Sequence, residues 1–587
     1  MIKTILGLIL ILIPFLLINK FENKKKGFYI ILFSILGFQF IIAFLFQLLG
    51  FFNYINVLIL NILIDLIIIY KTNFKEIKKN IKNIKIDWYL VFLIIIVFIC
   101  LYSVHHNYTG EITTINDNFK EIENFKYHYP YFSDEWAGIS LIKYSIDSGK
   151  LPFVNPLWYN QKFVNLGFAI HTLSSEFILV LNLNPLTDYI WLSFFSGFLI
   201  CLLVYFILRE NKISKFSSLI ASISVLYITR GANLPGVWTL IPLIGGIIFM
   251  LFVILFLSLK NEKFSLFSGI FSLIFYPPMI IFVFPIFLFY YLFNNGKKFQ
   301  YFYYFIILLI FSGLLLSLIS IFLGTNSFHS FLSSLSEKLF YEAFTTNAIP
   351  DFAIWKVVLL PVLILSIVGF IKLIFNKKKL WIVSPVFVGL VFWFVYSFNL
   401  LRLIIGYERL VFATSVLIVL LSGFGLDYSF NYIKKFKIYK YKSILKLVFL
   451  VLIFILSLSY TNLNNWSELK LYNLNGRVLS PAAPANQYLI EDDLRLFNFN
   501  EKRFITIPWK GLVIGVATDN YPLNSKAATL TNKKYDYYSF INSDCNKMKQ
   551  IIKKYNIDYI YTNKDLNCEF EKIGESEEGL ILYKTEI

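Results

Sequence analysis

Charge is scarce in this chain. Only 15% of its 587 residues are Asp, Glu, Lys or Arg, where a soluble domain usually carries about 25%. That shortage, set against 57% hydrophobic residues, excludes a soluble enzyme and a disordered chain. Four cysteines in the whole sequence exclude a disulfide scaffold, and neither a CxxC pair nor a histidine-rich metal pattern occurs. Acidic groups are scarcer than basic ones, 36 against 54, which leaves a net charge of +18. The excess does not mark a nucleic-acid partner. The lysines fall in short clusters between apolar runs, at Lys24 to Lys26, Lys75 to Lys85, Lys377 to Lys379 and Lys434 to Lys442. Such clusters fix the orientation of membrane spans and touch anionic membrane lipids.

What the chain has in quantity is apolar runs, from residue 4 to residue 460. Each is near the ~20 residues a helix needs to cross a bilayer core. Spans are predicted at 2–19, 28–50, 52–70, 88–104, 188–208, 215–229, 238–259, 264–276, 279–294, 301–323, 356–375, 380–398, 408–426 and 443–461. The first reads as a retained helix rather than a signal peptide. Two short spans meet at Tyr276-Pro277-Pro278, where proline suits a helix break. The basic connections then fall on the cytoplasmic side, and 105–187, 230–237, 324–355, 399–407 and everything after 462 fall outside. This alternation holds only if 164–184 does not cross, because a crossing would put Arg209 and Lys212 on the wrong side.

The expected fold is an all-α polytopic plasma-membrane domain of about fourteen transmembrane helices with a small C-terminal extracytoplasmic α/β domain. Residues 1–87 form an N-terminal addition, 88–461 a membrane core with an outer loop at 105–187, and 462–587 the outer domain. In that last part RFITIPWKGLVIGVAT reads as strand-like and MKQIIKKYNIDYIYTN as a helix leading into a strand. A hairpin around Gly574 to Tyr583 closes it. Cys545 and Cys568 lie there, and their spacing alone leaves open whether they pair.

The outer loop holds the most informative stretch, YFSDEWAGISLIKYSIDSGKLPFVNPLW. Ser133 suits a helix cap and Gly149 a helix end. Trp136, Ile139, Ile142 and Ile146 recur at helical steps, which predicts a helix lying along the outer membrane surface. Asp134 and Glu135 would stand in its first turn. Carboxylates there suit the helix dipole without any catalysis, but this pair also follows a span and precedes a Pro-rich turn in a long outer loop, where function concentrates.

This layout, with Asp134-Glu135 opening a juxtamembrane helix, resembles the GT-C superfamily of membrane glycosyltransferases. That superfamily includes protein O-mannosyltransferases, oligosaccharyltransferases and aminoarabinose transferases. The late segment NLLRLIIGYERLVFATSVLIVLLSGFGLDY is similar to its Arg-bearing span. The resemblance implies transfer of a sugar from a polyprenyl-phosphate lipid to a glycan, lipid or protein acceptor on the outer face. It carries the catalytic role to Asp134, as base, and Glu135, as support. A departing phosphate calls for cations, and the candidates are Arg409, Arg402 and Lys356, the arginines favoured for their bidentate fork. A second acidic motif is missing from Thr229-Arg230-Gly231-Ala232-Asn233, so a divalent cation is left unsupported and no metal ligand is assigned.

Other polar groups read more plainly. His171 and Glu176 are about 140° apart on a helix, a poor metal pair, and suit hydrogen-bonded packing. Asp65 lies inside the third span one turn from Asn61; its expected partner is Asn61 or a neighbouring helix. The loop 324–355, with His329, Glu337, Glu342 and Asp351, has the length and position of a lid. Two other functions stay open: a polysaccharide or lipid transporter or flippase, to which Asp65 and the proline break would speak, and a non-catalytic membrane assembly protein.

Overall fold

The structure is a computed structural model. It describes residues 2–72, 87–106, 108–112, 120, 122–127, 129–130, 133–228, 236–237, 239–294, 306, 329–330, 332–333, 354–396, 404–433, 448, 488–525, 530, 532–566 and 568–585. The predicted spans 301–323 and 443–461, the loop around Thr229 and nearly all of 324–353 lie outside these residues.

The N-terminal part is three helices, α1 (Ile2–Leu12), α2 (Lys24–Leu49) and α3 (Tyr54–Tyr70). Asn23 and Asn53 cap α2 and α3 by accepting the N–H of Lys26 and Asn56, the usual service of asparagine at a helix start. Next come α4 (Trp88–His106), a two-stranded ribbon β1 (Tyr108–Ile112) and β2 (Ile122–Tyr127), and α5 (Ser133–Ser148). A second ribbon, β3 (Val154–Asn155) and β4 (Gln161–Lys162), leads to α6 (Phe168–Leu181). The core continues with α7 (Tyr189–Glu210), α8 (Lys215–Ser224), α9 (Pro242–Ser258), α10 (Glu262–Phe275) and α11 (Ile280–Asn294). It ends with α12 (Ile354–Val357), α13 (Leu360–Ile374), α14 (Leu380–Tyr396) and α15 (Tyr407–Ile433).

Among the described residues five helices are long and apolar enough to cross a membrane: Lys24–Leu49, Tyr189–Glu210, Pro277–Asn294, Lys377–Tyr396 and Tyr407–Tyr432. That number stands where the sequence led us to expect about fourteen. Seven further apolar helices, α6 and α9 among them, are shorter. With 14 residues, α6 is about 21 Å long, short of a hydrocarbon core of about 30 Å. The Tyr276-Pro277-Pro278 break is there, a 3₁₀ turn at Pro277–Met279 between α10 and α11.

The outer-loop helix differs from expectation in its setting. Trp136, Ile139 and Ile142 are buried, but so are Ser140 and Ser145 on other faces. A helix on a membrane surface keeps one face in water. This one is enclosed, packed on α6 and against a helix of the C-terminal part. Gly149, at φ +68°, ends it in the left-handed region.

The C-terminal part contains α16 (Glu491–Leu496), β5 (Arg503–Ile505), α17 (Pro508–Thr518) and β6 (Tyr521–Pro522). After a small ribbon, β7 (Asn524–Ser525) with β8 (Asn532–Lys533), come α18 (Tyr537–Ile541), α19 (Cys545–Tyr555), β9 (Tyr559–Thr562), β10 (Glu571–Glu575) and β11 (Ile581–Lys584). One sheet runs in the order β10-β11-β9-β5-β6, antiparallel on the β10 side and parallel from β9 to β6. The run from Arg503 is thus a strand for only three residues. Pro508 opens a helix with its fixed φ, and buried Trp509, Leu512, Val513 and Val516 follow helical rather than strand spacing. Helix α19, strand β9 and the closing hairpin stand where the sequence puts them. Cys545 and Cys568 form a disulfide.

This sheet domain buries a charged triad. Lys510, fully enclosed, lies 2.5 Å from Asp493 and 2.9 Å from Glu578. Asp493 also accepts the Tyr561 hydroxyl at 2.9 Å and the Ile490 N–H at 3.0 Å. Removing one partner strands the others in low dielectric, at a cost of roughly 3–5 kcal/mol. Lys510→Met is therefore expected to destabilise this domain by about that amount. Thermal unfolding and limited proteolysis of the solubilised protein measure it; an unchanged midpoint would show the triad to be dispensable.

Candidate functional site

The first turn of α5 sends two carboxylates to different partners. Asp134 turns toward α15, where its Oδ2 lies 3.1 Å from an Arg409 guanidinium nitrogen. Its Oδ1 is buried with no hydrogen-bond partner. Glu135 turns toward the membrane core. Its Oε1 accepts the Ser193 hydroxyl of α7 at 2.9 Å and the Leu240 N–H, just before α9, at 3.0 Å. Consecutive residues on a helix differ by about 100°, which is why neighbours reach different elements. Gly138 allows the approach: a Cβ there would stand 3.2 Å from the Tyr189 hydroxyl and 3.6 Å from His171.

Arg409 stands in the first turn of α15. Its other terminal nitrogen is 3.4 Å from the Tyr276 hydroxyl, and the guanidinium carbon is 5.8 Å from the Tyr276 ring centre. The proline break after α10 holds Tyr276 there in extended conformation. The site thus joins three stretches remote in sequence: the outer-loop helix, the α10–α11 break and the start of α15.

Burial sets the electrostatics. Loss of water pushes the Asp134 carboxyl above its ordinary value, and the Arg409 charge and hydrogen bond pull it back down. Burial likewise raises Glu135 to about 7, opposed by the bonds from Leu240 and Ser193 and assisted by the charge of Asp134. An ion pair this enclosed contributes little net stability, but it costs several kcal/mol to leave one member unpaired. A second anion near Arg409 therefore competes with Asp134 for the same cation.

The other candidates fall as follows. Arg402 lies outside the described residues. Lys356 is on the short helix α12, which packs against the Arg409 helix, between buried Ile354 and Val357. Glu408, beside Arg409, is buried, and the ion pair of Arg409 runs to Asp134. His171 Nδ1 is 3.2 Å from the Asn165 amide, which also donates to the Pro152 carbonyl at 3.0 Å. Asn61 accepts from Gln39 at 2.7 Å instead of pairing with Asp65, whose Oδ2 has no hydrogen-bond partner. Gln39 comes from α2, a neighbour that one turn of α3 does not reveal.

Asp134 and Glu135 have separate partners and point apart, so they are not a paired donor set for a divalent cation. Among the described residues no cluster of three or more potential metal ligands occurs. Ser193 and the Leu240 N–H, the anchors of Glu135, are not among the residues the sequence analysis singles out. A serine within an apolar span is a faint signal for the first, and nothing in a sequence marks the second.

No family model and no curated protein sequence matches the chain. Solved structures of an archaeal oligosaccharyltransferase are similar to it. One is the Archaeoglobus fulgidus enzyme tethered to an acceptor peptide containing the NVT sequon, with a TM-score of 0.45 and 11% identity over 81% of this chain and 69% of that one. Another is AglB of the same organism with an inhibitory peptide and a dolichol-phosphate, with a TM-score of 0.46 and 12% identity over the same shares. At such identities and TM-scores the functional reading rests on this chain's own residues.

Glu135 offers a test of the anchoring. Its folded value near 7 exceeds the ordinary 4.5, so between these values the folded protein holds more proton than the unfolded one. Stability then falls as pH rises through that window. We expect a loss of roughly 1–3 kcal/mol from this group. Glu135→Gln, which keeps an acceptor oxygen, should flatten that part of the thermal-unfolding profile. An identical slope in the variant would assign it to another group.

Proposed function

We propose that the protein is an integral-membrane glycosyltransferase that moves a sugar from a polyprenyl-phosphate donor to an acceptor hydroxyl on the outer face of the membrane. The observation that carries this reading is the ion pair between buried Asp134 and half-buried Arg409, 3.1 Å apart, at the start of α5 and of α15. The chemistry needs an acid-base group and a phosphate-binding cation side by side, and this pair supplies both.

In the step, the acceptor oxygen bonds to the anomeric carbon as the bond from that carbon to the phosphate oxygen breaks. The acceptor's proton passes to Asp134. The departing phosphate takes the bonding electrons, and Arg409 binds its growing negative charge. Binding of the donor also prepares the base. The phosphate draws Arg409 from Asp134, which removes the influence that holds this carboxyl down and leaves it more basic. Tyr276 keeps the guanidinium in place, and Glu135 fixes the helix to α7 and to the chain before α9. Lys356 and Arg402 are further phosphate candidates.

Topology is part of the proposal. An outward-facing transferase needs a donor that crosses the membrane as a lipid, since nucleotide sugars do not cross freely. Disulfides persist in oxidising compartments, so the Cys545–Cys568 bond supports an extracytoplasmic C-terminal domain. Cysteines introduced at Asn116 and Lys534 should both be labelled from outside by an impermeant reagent. Labelling of only one would overturn the arrangement.

Sugar transfer from a polyprenyl-phosphate donor in reconstituted membranes tests the chemistry. Asp134→Asn should insert normally and lose about a hundredfold or more in rate, while a mere dipole contribution of about 0.3–1 kcal/mol would leave turnover almost intact. Arg409→Ala should impair donor use more than Arg409→Lys, which keeps a point charge. The acid limb of kcat should lie at higher pH than that of kcat/KM, because the first reports the complex and the second the free enzyme. Coincident limbs would refute the exchange of Arg409 from carboxylate to phosphate.

A further inference from the structure

An open cleft separates the C-terminal half of α5 from the C-terminal domain. One part, about 330 Å³, is lined by Tyr144, Asp147, Asn160, Glu501, Asp519 and Tyr521 among others. A second part, about 620 Å³, continues past Tyr54, Asn182 and Asn184 at the ends of α3 and α6. Lys143, Asp147 and Asp519 line both parts. Lys143 is the strut between the walls, donating to the Val516 carbonyl at 2.9 Å and to Asp519 at 2.7 Å.

The lining selects a class of ligand. Asp147, Glu501 and Asp519 face two lysines, Lys143 and Lys3. Both lysines are engaged, Lys143 by Asp519 and Lys3 over the Tyr54 ring at 5.4 Å. An anionic ligand would meet surplus negative charge. Carboxylates and asparagine amides offer acceptors and donors at short intervals, which suits hydroxyl groups that both give and take hydrogen bonds. Tyr144, Tyr521 and Tyr54 offer ring faces for the C–H side of a sugar.

Tyr521 is held ready. Tyr159 stacks on it with ring centres 4.0 Å apart, and Arg503 lies 4.8 Å from the centre of the Tyr159 ring. Tyr159 and its neighbour Asn160 sit at φ 48° and 50°. For tyrosine that region is strained.

We propose that this cleft binds an extended, uncharged glycan, and that this glycan is the acceptor. Its role as acceptor rests on the transferase reading; the binding itself does not. Thirteen residues of helix separate Asp134 from Asp147, about 20 Å. A short acceptor occupies either the cleft or the reaction centre, whereas a chain of several sugars spans both.

The test is binding of maltose through maltoheptaose to the solubilised full-length protein, with oligogalacturonate as an anionic counterpart. Affinity should rise with length and fall for the anionic chain. The exposed double variant Asp147→Asn, Glu501→Gln should weaken maltoheptaose binding by about tenfold. Absence of length dependence, stronger binding of oligogalacturonate, or indifference to the double variant would each overturn the proposal. Transfer measured alongside keeps the two readings apart. Intact binding with intact transfer in Asp134→Asn refutes the catalytic assignment and not the cleft. Lost transfer in Asp134→Asn without glycan binding by the wild type refutes the cleft and not the catalysis.

Discussion

A carboxylate taken out of water must find a partner, and the first turn of α5 takes two out of water at once. One finds a cation from the far end of the chain and the other a hydroxyl and a backbone N–H from the membrane core. Those contacts fix where α5 lies. They bring α7, the chain before α9 and the start of α15 to the same few ångströms, and α5 in turn packs against α17 of the C-terminal domain. Had the two acids met water instead, the helix would have only its apolar face to hold it.

The two acids therefore do different work despite being neighbours. Glu135 is fully engaged on one oxygen, and its bonds tie elements together. Asp134 keeps one oxygen without a partner and shares its cation with whatever anion comes near. A buried, partly satisfied group of this kind is expensive to maintain, and sites that carry out chemistry are where such groups are kept.

Much of this was legible in the sequence because it is local. Helix α5 could be read from Ser133, Gly149 and the spacing of Trp136, Ile139 and Ile142. The proline break and the helix–strand–hairpin order near the end also follow from short-range rules. What could not be read is tertiary. The enclosure of α5 depends on a partner helix hundreds of residues away, and apolar spacing cannot tell a membrane surface from a protein surface. The stretch from Pro508 has the β-branched residues of a strand, yet a proline at the first helical position and an apolar stripe from Trp509 to Val516 make it a helix. The short length of α6 agrees with the reading that 164–184 does not cross, and seven apolar helices among the described residues are shorter than the five that are long enough to span.

Asp134 and Arg409 are 275 residues apart, and ribosomes add residues in order. For nearly half of its synthesis the chain therefore contains the acid but not the cation that neutralises it. Until α15 arrives, the start of α5 has reason to stay in water and the helix has reason not to dock. The Asp134–Arg409 pair thus forms late, and a truncated chain carries an unburied α5 that quality-control machinery can recognise.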